Sequence, residues 1–385
     1  MKILHVVPSY LPAVRYGGPI WSVHGLAAAQ AALGHEIAVF TTNADGPGNS
    51  DVPVGVSTPL DGVAVTYFDV AMPRRLFRAP AMIKALRKNA RKFDVVHLHS
   101  VFLWPTLVAA RAAERAHVPY VLSPRGMLVG ELIRAKSALV KRGWLALFEK
   151  HTIRSAAAIH VTAAREAEDF AALGLAARRV IEIPNGVEPA PASNGSVSPD
   201  VETAIAGGRY ALYLGRLNWK KNLPELIAAM AEVPGLRLVI AGNDEEGLTD
   251  RLRAAMAEHG LAGRVALVPR SVGDADKEAL FAGAALFVLP SLNENFGNTV
   301  LEAMVRGVPV VVSSAAGAAE VVRETGSGLV AAPEAKALGN AIAAIVADPA
   351  RAAAMAEAGA RAAVADYGWR AVAERMIAAY RTLGS

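Results

Sequence analysis

The chain alternates short apolar runs with longer Ala-rich stretches of helical periodicity. In the first half the runs are ILHVVP (3–8), EIAVFTT (36–42), VAVTYF (63–68), DVVHLH (94–99), PYVLS (119–123), AAIHVT (157–162) and RVIEIP (179–184). In the second half they are YALYLG (210–215), RLVIAG (237–242), RVALVP (264–269), AALFVLP (284–290) and VPVVVS (308–313). Near-continuous apolar strands separated by helices predict parallel sheets covered on both faces, an α/β fold. Pro19 at a first helical position and Gly34 as a stop predict a helix through Leu33. At 189–208 the chain turns rich in Pro, Ser, Gly and Asn, the texture of a linker. The pattern thus predicts two Rossmann-like domains, 1–188 and 209–366, facing each other across a cleft. A last helix within 367–385, with Trp369, Val372, Met376 and Tyr380 at helical spacing, is expected to pack back on the first domain.

Composition narrows the chemistry. At 385 residues, 53% apolar and 19% charged, the chain can bury two cores. It has no cysteine, which excludes disulfides, thiol catalysis and Cys-ligated metals. The opening MKILHVVP is too short for a signal peptide, and no run of about 18 residues stays apolar and uncharged. The expectation is a soluble, cytoplasmic protein. The formal charge of +5 is uneven: residues 1–186 carry 22 Lys and Arg against 13 Asp and Glu, the remainder 18 against 22. Such asymmetry points to two units with different partners; no nucleic-acid motif accompanies it.

Ligands of open parallel sheets bind beyond the carboxyl ends of strands, so the loops there hold the candidate residues. After the first strand, Gly17 and Gly18 precede a helix, which suits either an approaching phosphate or simply a tight turn. The dinucleotide fingerprint GxGxxG is absent there. In the second half, GRLNWKKNLPELI places Arg216, Lys220 and Lys221 after a strand. A rigid guanidinium fork and a mobile ammonium suit a diphosphate, although a solvated loop would carry the same residues. The stretch SLNENFGNTVLE (291–302) reads as a loop opening into a helix that ends at Gly307. Thr299 and Glu302 fit a capping box, which leaves Glu294 without a structural duty. Two carboxylates and nearby amides also suit a polyhydroxylated ligand such as a sugar or ribose.

Gly17-Gly18, the HLH at 97–99, IPNGV at 183–187, GRL…KK at 215–221 and ENFGNTVLE at 294–302 together resemble glycosyltransferase family 4 over nearly the whole chain. The resemblance implies the GT-B fold, a retaining mechanism and a nucleoside-diphosphate sugar held mainly by the second domain, as in transferases of bacterial surface-polysaccharide assembly. It implies that Arg216 and Lys221 neutralise the departing diphosphate and that Glu294 contacts hydroxyls of the sugar. The amides of Asn295, Phe296, Gly297, Asn298 and Thr299 would help hold sugar and phosphate. Glu302 would bind the ribose, Arg270, Ser271 and Val272 would receive the base, and Gly17 and Gly18 would approach the diphosphate across the cleft. No metal or other cofactor is implied.

Two histidines, His97 and His99, lie on one side of a strand but have no third ligand nearby in sequence, so a structural role is expected. Many relatives place a histidine near the sugar at the end of the strand written here PYVLSPRGM; matching strands puts Arg125, or Ser123, in that position. Arg125 cannot serve as a base; it could bind a phosphate or an acidic sugar, or make a local salt bridge. The acceptor is expected at the first domain. Basic segments at 74–92 and 133–154 mix cations with apolar residues, as interfacial helices and solvated helix faces both do. A lipid-linked or glycan acceptor and contact with an anionic membrane are therefore carried as expectations, with a nucleotide-sugar 2-epimerase as the alternative activity. Nothing in the chain fixes an oligomeric state.

Overall fold

The structure, a computed structural model, describes residues 1–128, 143–190 and 195–383. Part of the second basic segment (133–142) and of the expected linker (191–194) lies outside the described residues. The chain divides into two compact units, Met1–Gly186 with Trp369–Ser385, and Val187–Gly368.

The first unit holds β1 (Lys2–Ser9), β2 (Glu36–Thr42), a small antiparallel pair β3 (Ala44–Asp45) and β4 (Gly48–Asn49), then β5 (Ser57–Leu60), β6 (Val63–Phe68), β7 (Val95–His99), β8 (Tyr120–Ser123), β9 (Ala158–Val161) and β10 (Val180–Glu182). Eight of them form one sheet in the order β10-β9-β8-β7-β1-β2-β6-β5, parallel except for β5 against β6. From β1 the chain builds outward through β2 and β6, then returns to β7 on the other side of β1. The strand order therefore reverses between β1 and β7, where open α/β sheets form their crevice. The central strands are buried along their length because helices cover both faces.

Helix Gly18–Ala32 begins with Pro in its first turn, and Gly34 follows its end at φ 83°. Helix Trp369–Arg381 packs against it, burying Val372, Met376 and Tyr380. Trp369 lies over Gly25 and Gly186, where a Cβ would collide with its indole.

The second unit holds β11 (Tyr210–Leu214), β12 (Arg237–Ala241), β13 (Val265–Val268), β14 (Ala284–Leu289), β15 (Val310–Ser313) and β16 (Gly328–Ala331) in one parallel sheet, ordered β13-β12-β11-β14-β15-β16. Its reversal lies between β11 and β14. The stretch 189–208, expected as a linker, belongs to this unit from Val187 onward. Its Pro199–Ile205 forms a helix with Val201 and Ala204 buried. Pro199 starts that helix, and two apolar residues spaced three apart give it a face to bury, which outweighs the loop-like composition around it.

Candidate functional site

In the second unit the two loops at the strand-order reversal meet. The loop after β11 runs into Lys220 and Lys221, and the loop after β14 carries Glu294. The Leu292 amide donates to the Lys220 carbonyl at 2.8 Å, tying the loops together. The Lys221 ammonium and the Glu294 carboxylate form an ion pair with little exposure on either side chain. Both residues lie where the fold places ligands, and each neutralises the other.

Arg216 leaves β11 with its backbone carbonyl accepting from the Tyr213 hydroxyl at 2.9 Å. Burial, with the Glu294 charge second, pushes that phenol well above its ordinary range, so it stays a donor. The Arg216 Nη1 donates to both oxygens of Glu245, at 3.0 and 3.2 Å. Glu245 sits in the loop after β12, and its neighbour Glu246 accepts from the Trp219 amide at 3.0 Å. Both cations expected to meet a diphosphate are thus held by carboxylates.

The segment ENFGNTVLE is shaped by Gly297. Its φ of 100° lies in the left-handed region, and a Cβ there would come within 2.6 Å of Leu289 Cδ2. The helix Asn298–Val305 follows, with Gly297 as its N-cap and no side-chain capping bond. The capping box expected of Thr299 and Glu302 is therefore not made: the helix starts one residue before Thr299, so Thr299 is no longer at the cap. Glu302 instead pairs with Lys277 at 3.0 Å. Phe296 is a core residue whose carbonyl accepts from Ala318 at 2.7 Å; the Glu294 carbonyl accepts from Gly317 at 3.0 Å. These bonds fix the backbone path of 294–299 against the loop after β15.

Arg270 follows β13, but its guanidinium is committed. It donates to Asp200 at 2.5 and 2.8 Å and to Asp276 at 3.1 Å, clamping helix Pro199–Ile205 to the loop. Ser271 is exposed and Val272 half-buried beside it. Arg216, Lys221, Glu294 and Asn295–Thr299 are gathered at the reversal of the sheet, whereas Arg270–Val272 extend from β13 at its edge.

In the first unit Gly17, at φ 79°, precedes helix Gly18–Ala32. Beneath the reversal lies a buried layer of histidines. His5 on β1 stands opposite His97 on β7 in register, and His99 on β7 opposite Ser123 on β8. His97 and His99 do have a third partner, contrary to the sequence expectation. One nitrogen from each of His5, His97 and His99 falls within 4.8 Å of the others. The missing partner lies some ninety positions earlier in sequence, and only strand pairing reveals it.

The protons of this layer are fixed by its ends. Arg125 can only donate, so its Nη2 gives a hydrogen bond to His99 Nδ1, at 3.2 Å. His99 Nε2 then donates to His5 Nδ1 at 3.0 Å, and His5 Nε2 to Gln30 Oε1 at 2.8 Å. From the other side, His160 Nε2 donates to the Ile183 carbonyl at 2.8 Å. Its Nδ1 therefore accepts from Ser123 at 2.7 Å, Ser123 accepts from His97 Nε2 at 2.6 Å, and His97 Nδ1 accepts from the Tyr380 hydroxyl at 2.5 Å. All four imidazoles are neutral, with the proton on Nε2.

Burial is the main cause of that neutrality. It lowers His5 to about 4 and His160 to about 3, and His97 and His99 well below their ordinary value, with Arg125 adding to each shift. Every ring nitrogen of His5, His97 and His99 is engaged, and a guanidinium lies alongside. That donor set suits a hydrogen-bonded layer better than a bound cation.

Arg125 lies two residues beyond β8, in the left-handed region at φ 56°. Its Nη1 donates to Asn185 Oδ1 at 2.9 Å, and its Nε is buried without a hydrogen-bond partner. The local salt bridge allowed by the sequence is not formed among the described residues. Glu166, the nearby carboxylate, is taken up by the amides of Gly126 and Thr162 at 2.7 and 2.8 Å. His5, Asn185, Glu245 and Lys277 contact the candidate residues and were not singled out from the sequence. For Glu245 a signal existed, the acidic loop GNDEEG directly after a strand.

Among the described residues no helix is long and apolar enough to cross a membrane. In the first basic segment, helix Pro80–Asn89 buries Met82 and Leu86 in the core and exposes Lys84, Arg87 and Lys88. Its large apolar residues Met82 and Leu86 are thus used internally, and its exposed surface is mostly charged.

Comparison with known proteins agrees with this architecture. The model for "Glycosyl transferase 4-like domain" matches residues 17–186, and that for "Glycosyl transferases group 1" matches 199–362. The chain is 29% identical to a glycogen synthase of Mycobacterium tuberculosis, over 99% of this chain and 94% of that protein. It is 28% identical to the GDP-mannose:cellobiosyl-diphosphopolyprenol alpha-mannosyltransferase of Xanthomonas oryzae, over 86% of this chain and 83% of that one. Among solved structures, sucrose-phosphate synthase from Thermosynechococcus elongatus superposes with a TM-score of 0.76 at 23% identity, covering 100% of this chain and 99% of that one. With two matching domain models in order, and the same fold in solved transferases, the chain belongs to the family-4 type of glycosyltransferases, of the GT-B fold.

Proposed function

We propose that the protein transfers a sugar, with retention, from a nucleoside-diphosphate sugar to a hydroxyl of a lipid-linked or polysaccharide acceptor. The observation that carries this reading is the Lys221–Glu294 ion pair at the reversal of the second sheet, flanked by Arg216. An incoming donor can exchange both partners at once. The diphosphate takes the ammonium of Lys221 and the guanidinium of Arg216, and sugar hydroxyls donate to Glu294. The amides of Asn295–Thr299 add hydrogen bonds to the sugar and phosphate. Glu302, turning from Lys277, accepts from the ribose hydroxyls. Because the Arg270 side chain is clamped by Asp200 and Asp276, the base rests on Ser271 and Val272 beside its backbone. In the first unit, Gly17 and Gly18 open a helix whose amino end suits a phosphate, and Arg125 stands where many relatives have a histidine.

In the chemical step the acceptor oxygen attacks the anomeric carbon on the face the leaving group occupies. The carbon–oxygen bond to the diphosphate breaks, and the acceptor proton passes to the departing phosphate oxygen. Stabilising the charge on that oxygen falls to Arg216 and Lys221, and no metal is invoked. The mannosyltransferase relative names a diphosphopolyprenol acceptor, which supports a lipid-linked acceptor here. The exposed cations of helix Pro80–Asn89 support electrostatic contact with an anionic membrane surface rather than insertion.

Release of nucleoside diphosphate from a panel of nucleotide sugars tests the activity. Slow hydrolysis of one donor supports it, and an altered sugar in place of released nucleotide would establish the epimerase instead. Flotation with anionic liposomes at low salt tests the membrane contact; absence of binding rejects it.

A further inference from the structure

A buried cation surrounded only by neutral groups is costly, because its charge is desolvated without compensation. Arg125 is half-buried and approaches that position: the nearby carboxylate, Glu166, favours its charge from a distance but makes no ion pair with it and is bound by the amides of Gly126 and Thr162. The guanidinium's two hydrogen-bonded acceptors, Asn185 Oδ1 and His99 Nδ1, are neutral, no ion pair reaches it among the described residues, and its Nε has no partner. The surrounding backbone is also held in sparsely populated conformations. Ser100 and Phe102 after β7, and Arg125 after β8, are non-glycine residues at φ 75°, 61° and 56°. The Ser100 amide donates to the Ser123 carbonyl at 2.8 Å and the Phe102 amide to Glu149 at 2.7 Å, so these loops are fixed by bonds from their neighbours. Strain of this kind persists where the surroundings over-determine it, and it clusters at ligand sites. The location, at the carboxyl ends of β7 and β8 beside the reversal at β1, is where open sheets bind ligands.

We propose that Arg125, presented by the line His99–His5–Gln30 and by Asn185, is the receptor for an oxyanion carried by the acceptor, a phosphate or a carboxylate. This deepens, and rests on, the transferase reading, since it names the acceptor as acidic. His99 acts as a positioning residue. It is a neutral acceptor toward the guanidinium because its own proton is spent on His5, and His5 can accept that proton because its other nitrogen donates to Gln30. Among the described residues no carboxylate forms an ion pair with the fork, so an incoming oxyanion meets a guanidinium whose hydrogen-bonded partners are both neutral. Protonating or deleting a member of the line removes the acceptor that orients Arg125.

Nitrogen-15 histidine NMR reads the line directly. Four imidazoles are expected as neutral Nε2–H tautomers, and inorganic phosphate or acetate is expected to shift the His99 Nδ1 resonance. Arg125→Leu should abolish that response. With Arg216 and Lys221 both changed to Ala to silence the other cations, calorimetric titration should show His99→Leu weakening anion binding by about tenfold, the loss of one hydrogen bond to a charged group. His99→Gln, whose amide offers one acceptor and one donor, should restore it. A response to phosphate and not to acetate assigns a phosphorylated acceptor, and the reverse assigns a carboxylated one. No response to either, or a response that survives Arg125→Leu, overturns the proposal. Donor hydrolysis that is lost in Lys221→Ala while His99 ignores both anions would remove Arg125 alone and leave the transferase reading standing.

Discussion

The two sheets share a plan but handle charge at their reversals in opposite ways. In the second unit the polar residues are paired: Lys221 with Glu294, Arg216 with Glu245, Glu302 with Lys277. In the first, four neutral histidines underlie one guanidinium that forms no ion pair among the described residues. A paired site can trade partners with a ligand that brings both an anion and hydroxyls. An unpaired cation on a neutral layer suits a ligand that brings only an anion. On the proposed reading, the second unit takes the sugar diphosphate and the first an acidic acceptor.

Acid should separate the units most strongly. The histidine layer is held neutral, with folded values near 4 for His5 and 3 for His160, against an ordinary 6.5. Below 6.5 the unfolded state binds protons that the folded state refuses. Stability is therefore intact above 6.5 and falls as the pH drops toward 4, by about 1.4 kcal/mol per pH unit for each such histidine. In the second unit the depressed groups are carboxyls. The Arg270 hydrogen bond lowers Asp200, and against burial the Ser198 and Thr249 contacts lower Asp276 and Asp244. Their contribution is full above 3.8 and fades only below it. Hydrogen exchange between pH 6.5 and 4 should show the first unit opening first, and simultaneous opening would break the contrast.

Next in size are the paired residues. Lys221→Ala and Glu294→Ala should each lower turnover by about 10²–10³-fold, the scale of losing one preorganised electrostatic contact, while near-native circular dichroism shows that the fold remains. Gly297→Ala forces a left-handed residue into contact with Leu289 and should cost about 1–3 kcal/mol in denaturant unfolding. Glu245→Gln releases Arg216 from a half-exposed pair. It should tighten donor binding by only a few-fold, since such a pair is worth about 0–1 kcal/mol. Weaker donor binding in Glu245→Gln would show that Glu245 orients Arg216 rather than competing for it.

The sheets were legible because parallel strands covered on both faces leave continuous apolar runs. VAVTYF and EIAVFTT coincide with β6 and β2 to the residue. The elements that escaped have other chemistry. Antiparallel β5, STPL, lies half-exposed at a sheet edge with a proline, and β16, GLVA, opens on a glycine. Helix Pro199–Ile205 was hidden by the loop-like residues around it. Glu294, Lys221 and Arg216 could be singled out because they sit in loops directly after strands. Their mutual pairing could not, since Lys221 and Glu294 are 73 residues apart. The histidine layer was unreadable for the same reason: HLH is local, but His5, His160 and Tyr380 join it only through strand order and the returning C-terminal helix.

The most direct test of the donor site is nucleoside diphosphate release from a panel of nucleotide sugars by wild type, Lys221→Ala and Glu294→Ala, at equal folded concentration. One donor should be turned over by the wild type and nearly lost to both variants. Equal release by all three proteins, or release from no donor in the panel, would contradict the account.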